Sequence, residues 1–249
     1  MRLRSTNPVY SKMGKMDAYQ GVDFEAASYR GIASKTFYFA ILVIIGAFLG
    51  IYLLSTNPDA LGALLPITVI VGFICSLVAF ISPASTKIAG TIYCLCEGML
   101  VGIVSILFET IVPGVVVAGL LGTVAVVFVV ATLYLTGMVK VTGKFVRFLL
   151  IFSISVILCQ LFLLILSLVS PGTFGGIFNS FGSNLLVSGI MIFLATLYLM
   201  FDMENIRQVV EGGQPKQLEW FASFGLIFTI VWLYMEILPL IARIMLRDN

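Results

Sequence analysis

No histidine occurs anywhere in the 249 residues, which removes imidazole metal ligands, serine–histidine catalysis and the imidazole pH switch together. Charge is also scarce. Asp, Glu, Lys and Arg make up 10% of the chain, against about 25% in ordinary soluble domains. Cysteine is limited to Cys75, Cys94, Cys96 and Cys159, each inside an apolar run, so a disulfide framework is not expected. Cys94 and Cys96 are two apart and point to different sides of a helix, a poor arrangement for chelating a metal. No Gly-x-Gly-Asp motif is present for aspartyl intramembrane proteolysis, and serine chemistry lacks its base. An enzyme is therefore not expected. Residues 1–36 hold no short apolar core followed by a small-residue cleavage site, so they read as a soluble tail rather than a cleaved signal. With a net charge of +2, nothing points to nucleic acid.

What is present is apolar. Hydrophobic residues make up 60% of the chain, and the mean hydropathy is +1.13. Seven runs at about 37–54, 61–82, 88–108, 114–139, 148–169, 185–206 and 224–244 are each long enough to cross a ~30 Å hydrocarbon core at ~1.5 Å per residue. The expected fold is an all-α membrane protein, with a cytoplasmic tail over 1–36 and a seven-span domain over 37–249. The loops after the first, third and fifth runs contain no Lys or Arg. Arg2, Arg4, Lys12, Lys15, Arg30 and Lys35 precede the first run, and Lys87, Lys140, Lys144, Arg147, Arg207 and Lys216 occupy the even loops. This alternation places the N-terminus in the cytoplasm, opposed only by Arg243 and Arg247 near the end. Gly46 with Gly50, and Gly98 with Gly102, have the four-residue spacing that lets helix backbones approach closely.

Against this background, three acids stand out. Glu236 lies in the middle of the last run, and Asp202 and Glu97 interrupt two others. A charge at the centre of a spanning helix costs at least ~2.5–3.5 kcal/mol on insertion scales, so a chain that only had to sit in lipid would use Leu. Asp202 is ten residues before Gly212, about 15 Å into its helix. The segment 214–222, with Lys216, Glu219 and Trp220, has the composition of a short interfacial helix. If the seventh span starts near Phe224, Glu236 is about 18 Å deep, at the level of Asp202 on the adjacent antiparallel helix. Two carboxyls that met there would share a proton and respond to pH without histidine. Deprotonated, they could take Ca²⁺, which prefers oxygen ligands. The plainer reading is that each acid stays protonated and ties helices together as a donor. Glu97, beside Gly98, is divided between pathway and packing. Glu109, Asp59 and Glu204 read as solvated, and Gln160 as a polar contact between helices.

Several stretches together resemble a known family. These are Ser5, Thr6, Asn7, Pro8 and Val9; Glu97 and Gly98 with Gly102 and Ser105; Lys140, Val141 and Thr142; Phe201 with Asp202; and the run from Trp232 through Glu236 to Leu238. In this order they are similar to the bacterial branch of the Bax inhibitor-1/YccA family. The resemblance implies six helices around a central seventh, in a bacterial cytoplasmic membrane. It also implies a pH-sensitive calcium leak, with Asp202 and Glu236 at the pH-sensor positions and Glu in place of the usual Asp. Two departures accompany it: the connection between the acids is longer here, and no mid-span arginine is available as a latch. A second class of function that the resemblance implies is an interaction protein acting on a membrane protease, without a pore.

The charge alternation makes a direct prediction. Single cysteines at 55–59, 109–113 or 170–183, in a chain lacking the native four, should react with an impermeant thiol reagent applied outside the cell. Labelling of a cysteine at position 142 from that side would invert the topology.

Overall fold

The computed structural model describes residues 25–169 and 181–247. The motif at 5–9, the tail up to residue 24 and the connection 170–180 lie outside the described residues. Seven helices follow one another: α1 (Tyr29–Thr56), α2 (Pro58–Ile81), α3 (Thr86–Ile111), α4 (Val115–Leu135), α5 (Gly143–Val169), α6 (Phe181–Glu211) and α7 (Leu218–Arg247). All seven are long and apolar enough to cross a membrane, as the seven runs predict. Lone helices suit this setting because each satisfies its own backbone, leaving no polar group facing lipid.

The helices exceed the apolar runs at the end of the bundle where Lys35, Lys87 and Lys216 gather. Here this is termed the basic end. α1 begins at Tyr29, within the stretch that hydropathy assigns to the tail. Ser28 caps it, accepting the Gly31 N–H at 3.0 Å. At the opposite end Gly114, at φ +88°, turns the chain from α3 into α4, a conformation that glycine adopts without strain. Glu109 holds that turn by accepting the Gly114 and Val116 N–H groups at 2.6 and 2.9 Å. It is therefore a cap on α4 and not simply a solvated acid.

The closest joint is between α1 and α3. Gly46 and Gly50 lie against Leu95 and Met99, and Gly98 and Gly102 lie against Val43 and Ala47, so that a Cβ on any of the four would collide with main chain opposite. Both pairs are thus packing glycines. α7 packs against α1, α2, α3, α4 and α6, whereas α5 packs against α6. The core between α1, α2, α3 and α7 is aromatic. Phe224, fully buried, sits among Phe39, Phe80 and Tyr93 at centroid distances of 5.2–6.0 Å, mostly edge to face.

One correction concerns the start of α7. The segment 214–222 is not a separate interfacial helix: α7 runs unbroken from Leu218. The reason is packing. Glu219 is fully buried, and the Trp220 ring meets Tyr38 and Phe39 of α1 at 5.5 and 5.7 Å. The amphipathic pattern of this segment is matched to α1 rather than to a lipid–water boundary.

Replacing Gly98 with Leu should separate α1 from α3. The expected result is a lower melting temperature in detergent and faster proteolysis. A Gly62→Leu control, where a Cβ meets nothing within 4 Å, should change neither.

Candidate functional site

Polar side chains are spaced along α6, and three of them, Asp202, Tyr198 and Ser188, meet α7. At the basic end Glu204, 5% exposed, accepts from Tyr134 of α4 at 2.7 Å, from Arg207 at 2.8 Å and from Gln208 at 3.0 Å. It is a buried acceptor with three donors rather than the solvated acid expected. Its position near the helix end hid this, because the donor from α4 is seventy residues away in sequence.

Further along the contact, Asp202 is 8% exposed. Its Oδ2 accepts from the Thr229 hydroxyl of α7 at 2.6 Å. Its Oδ1 lies over Gly225, where a Cβ would stand 3.4 Å away. The carboxyl thus spans one turn of α7. Glu236 is half-buried and accepts from the indole N–H of Trp232, one turn back, at 3.2 Å. The Trp232 ring packs on Tyr198 of α6 at 5.9 Å, and the Tyr198 hydroxyl meets Ser153 of α5 at 3.0 Å. Last, Arg243 donates to Ser188 of α6 at 2.9 Å and lies near enough for its charge to act on Glu236.

The two sensor candidates therefore line one contact, but they do not pair. Thr229 fixes the level of Asp202, and Glu236 lies seven residues beyond it, two turns or about 10.5 Å along the helix. Their carboxyls take different partners, Thr229 for Asp202 and Trp232 for Glu236. The expected matching depth fails because it assumed a seventh span starting near Phe224. From Leu218, Thr229 is eleven residues in, close to the nine that separate Asp202 from the end of α6.

Glu97 is half-buried on α3, one turn from Tyr93, whose ring stacks on Phe228 of α7 at 5.4 Å. No hydrogen bond joins it to a described residue, and it does not join Asp202 or Glu236. Among the described residues no group of three or more Cys, Asp or Glu could hold a metal. Gln160 donates to the Met191 sulfur of α6 at 3.0 Å.

Sequence reasoning missed Thr229, and Arg243 entered it only as a charge near the chain end. Both share a helical face with Glu236, being seven residues before and after it, and that spacing is the signal that could have found them.

A second polar cluster ties the basic end together. Glu219 accepts the Ser28 N–H at 2.7 Å and the Ser28 hydroxyl at 3.2 Å, and pairs with Lys35. Gly31 has to be glycine, since a Cβ there would strike the Glu219 carboxylate. The Lys35 and Lys87 ammonium groups flank the Trp220 ring at 5.2 and 5.3 Å. Just before α1, Ala27 N–H donates to the Gln214 carbonyl and Lys216 N–H to that of Glu25, at 2.8 and 2.9 Å. The Glu25 carboxylate bonds the Lys216 ammonium and holds its pKa above the ordinary lysine value.

With this geometry in hand, the comparison with known families is decisive. The model of the Bax inhibitor 1 like family matches residues 7–246. The chain belongs to that family. No curated protein matches it. The match spans all seven helices of this family member and includes Glu97, Asp202 and Glu236.

Glu219→Ala leaves Lys35 beside an uncompensated, desolvated site, and breaking a buried pair in this way costs about 3–5 kcal/mol. The expected outcome is a large fall in thermal stability and faster proteolysis at 25–35. Gly31→Ala should reproduce part of it, while Glu25→Ala, which removes an exposed pair, should change stability by less than about 1 kcal/mol.

Proposed function

We propose that this protein is a passive, pH-regulated cation leak, with Ca²⁺ as its first candidate ion, in a bacterial cytoplasmic membrane with the N-terminus inside. The observation that carries the reading is Asp202, a carboxyl buried in a membrane-spanning bundle and hydrogen-bonded by a neutral hydroxyl instead of a cationic side chain. A permanently ionised carboxylate kept there as a strut would be matched by a basic partner, as Glu219 is by Lys35. Asp202 instead keeps an oxygen over Gly225, free of any side chain from that residue.

The line of polar groups between α6 and α7 supports the same reading. A permeating cation needs contacts good enough to enter and weak enough to leave. Single carboxylates at separate levels supply this better than one cage of six to eight oxygens, which would hold Ca²⁺ in place. Asp202 is then the group that reads pH. Glu236, two turns away and within the field of Arg243, is a second station for the ion. Glu97, on α3, is hydrogen-bonded to none of these groups. No chemistry on a substrate is proposed.

The test is Ca²⁺ flux into liposomes holding the purified protein, across a range of pH. Wild-type protein should pass Ca²⁺ at a rate that changes with pH. Asp202→Asn should flatten the profile, and Glu236→Gln should lower the rate several-fold while leaving the midpoint in place. Absence of flux at every pH would reject the leak. Co-purification with a membrane protease would then favour the pore-free interaction reading.

A further inference from the structure

Inside an apolar helix, a Ser or Thr hydroxyl commonly returns its proton to the carbonyl one turn back, satisfying both groups without leaving the helix. Thr68, Thr123, Thr132, Ser153 and Thr196 all do so, at 2.7–3.0 Å. For Thr229 the corresponding acceptor is the Gly225 carbonyl, which it does not use. Its hydroxyl instead donates across to α6, to Asp202 Oδ2, with 2.6 Å between the two oxygens in a buried bond.

This departure makes sense only if the acceptor across the interface is better than the one at home. An ionised carboxylate is such an acceptor, since charge-assisted bonds are shorter and about twice as strong as neutral ones. A neutral carboxyl is a weaker acceptor and brings a donor proton of its own. On protonation of Asp202 the same two side chains can reverse their roles. The acid then donates to Thr229 Oγ1, and the Thr229 proton turns back to the Gly225 carbonyl, on the turn that the carboxyl already covers. Hydroxyl bonds to the i−4 carbonyl bend helices, and this one would form at a glycine.

We propose that Thr229 is the positioning residue that passes the protonation of Asp202 to the backbone of α7 at Gly225. The proposal rests on the leak reading for its consequence but not for its chemistry. Among the described residues, no other ionisable group is hydrogen-bonded to Asp202 or Thr229. On its own helix, Glu204 is bonded to Tyr134, Arg207 and Gln208. On α7, Glu219 is paired with Lys35 of α1, Glu236 with Trp232, and Tyr234 with Ser105 of α3. On α3, the Tyr93 ring stacks on Phe228, and no hydrogen bond joins Glu97 to Asp202 or Thr229.

Two measurements test it: the pH profile of Ca²⁺ flux in liposomes, and infrared titration of the carboxyl band that disappears in Asp202→Asn. Thr229→Val keeps the shape and removes the hydroxyl. It should move both midpoints by about one pH unit or more toward higher pH, the size expected for losing a hydrogen bond to a charged group. Thr229→Ser keeps the hydroxyl and should restore both to within a few tenths of a unit. Thr229→Ala serves if the valine variant does not fold. Wild-type midpoints in Thr229→Val or Thr229→Ala would overturn the proposal, as would failure of Thr229→Ser to restore them. A shifted infrared midpoint in a protein that carries no flux would uphold the Thr229 role and reject the leak.

Discussion

Because Glu219 is sealed from solvent and has a lysine partner, its oxygens must be matched by donors, and every donor comes from the start of α1. The Ser28 N–H and hydroxyl and the Lys35 ammonium meet it at one level. Gly31 leaves the room that this needs. The height of α7 relative to α1 is set by this match. A slip of one turn would strand a carboxylate in a low-dielectric site, at a cost of several kcal/mol. The levels of Thr229, Glu236 and Arg243 follow from it, since one unbroken helix carries them all.

Within that frame, three acids have three different environments. Glu219 is ion-paired and structural. Glu204 is surrounded by donors that hold it in place. Asp202 has one neutral donor. Similar burial therefore does not imply a similar role; the partner decides. Burial with a full set of partners makes a strut, and burial with an incomplete set leaves a group able to respond to its surroundings.

Much of this was legible from the amino acids. The seven spans follow from apolar runs whose length the bilayer dictates, and Gly46, Gly50, Gly98 and Gly102 are found by their spacing alone. Asp202 and Glu236 stand out because an acid in lipid is expensive wherever its partner lies. The register of those two acids was not legible. It depended on the helix start, and Lys216, Glu219 and Trp220 fit an interfacial segment as well as they fit the flank of another helix. Composition records that a surface is amphipathic, but not which surface it meets. Glu204 was misjudged for the same reason, since the hydroxyl of Tyr134 arrives from α4.

The glycine contact between α1 and α3 has a mechanical consequence. Main chain rests on main chain over two turns of each helix, with no side chains between them to change rotamer and absorb a displacement. Close-packed joints of this kind do not deform gradually. In any rearrangement of the bundle, α1 and α3 should travel as one rigid spar. Sliding is left to the side of the bundle formed by α4, α5 and α6, where contacts run through side chains and where the buried carboxyl of Asp202 sits.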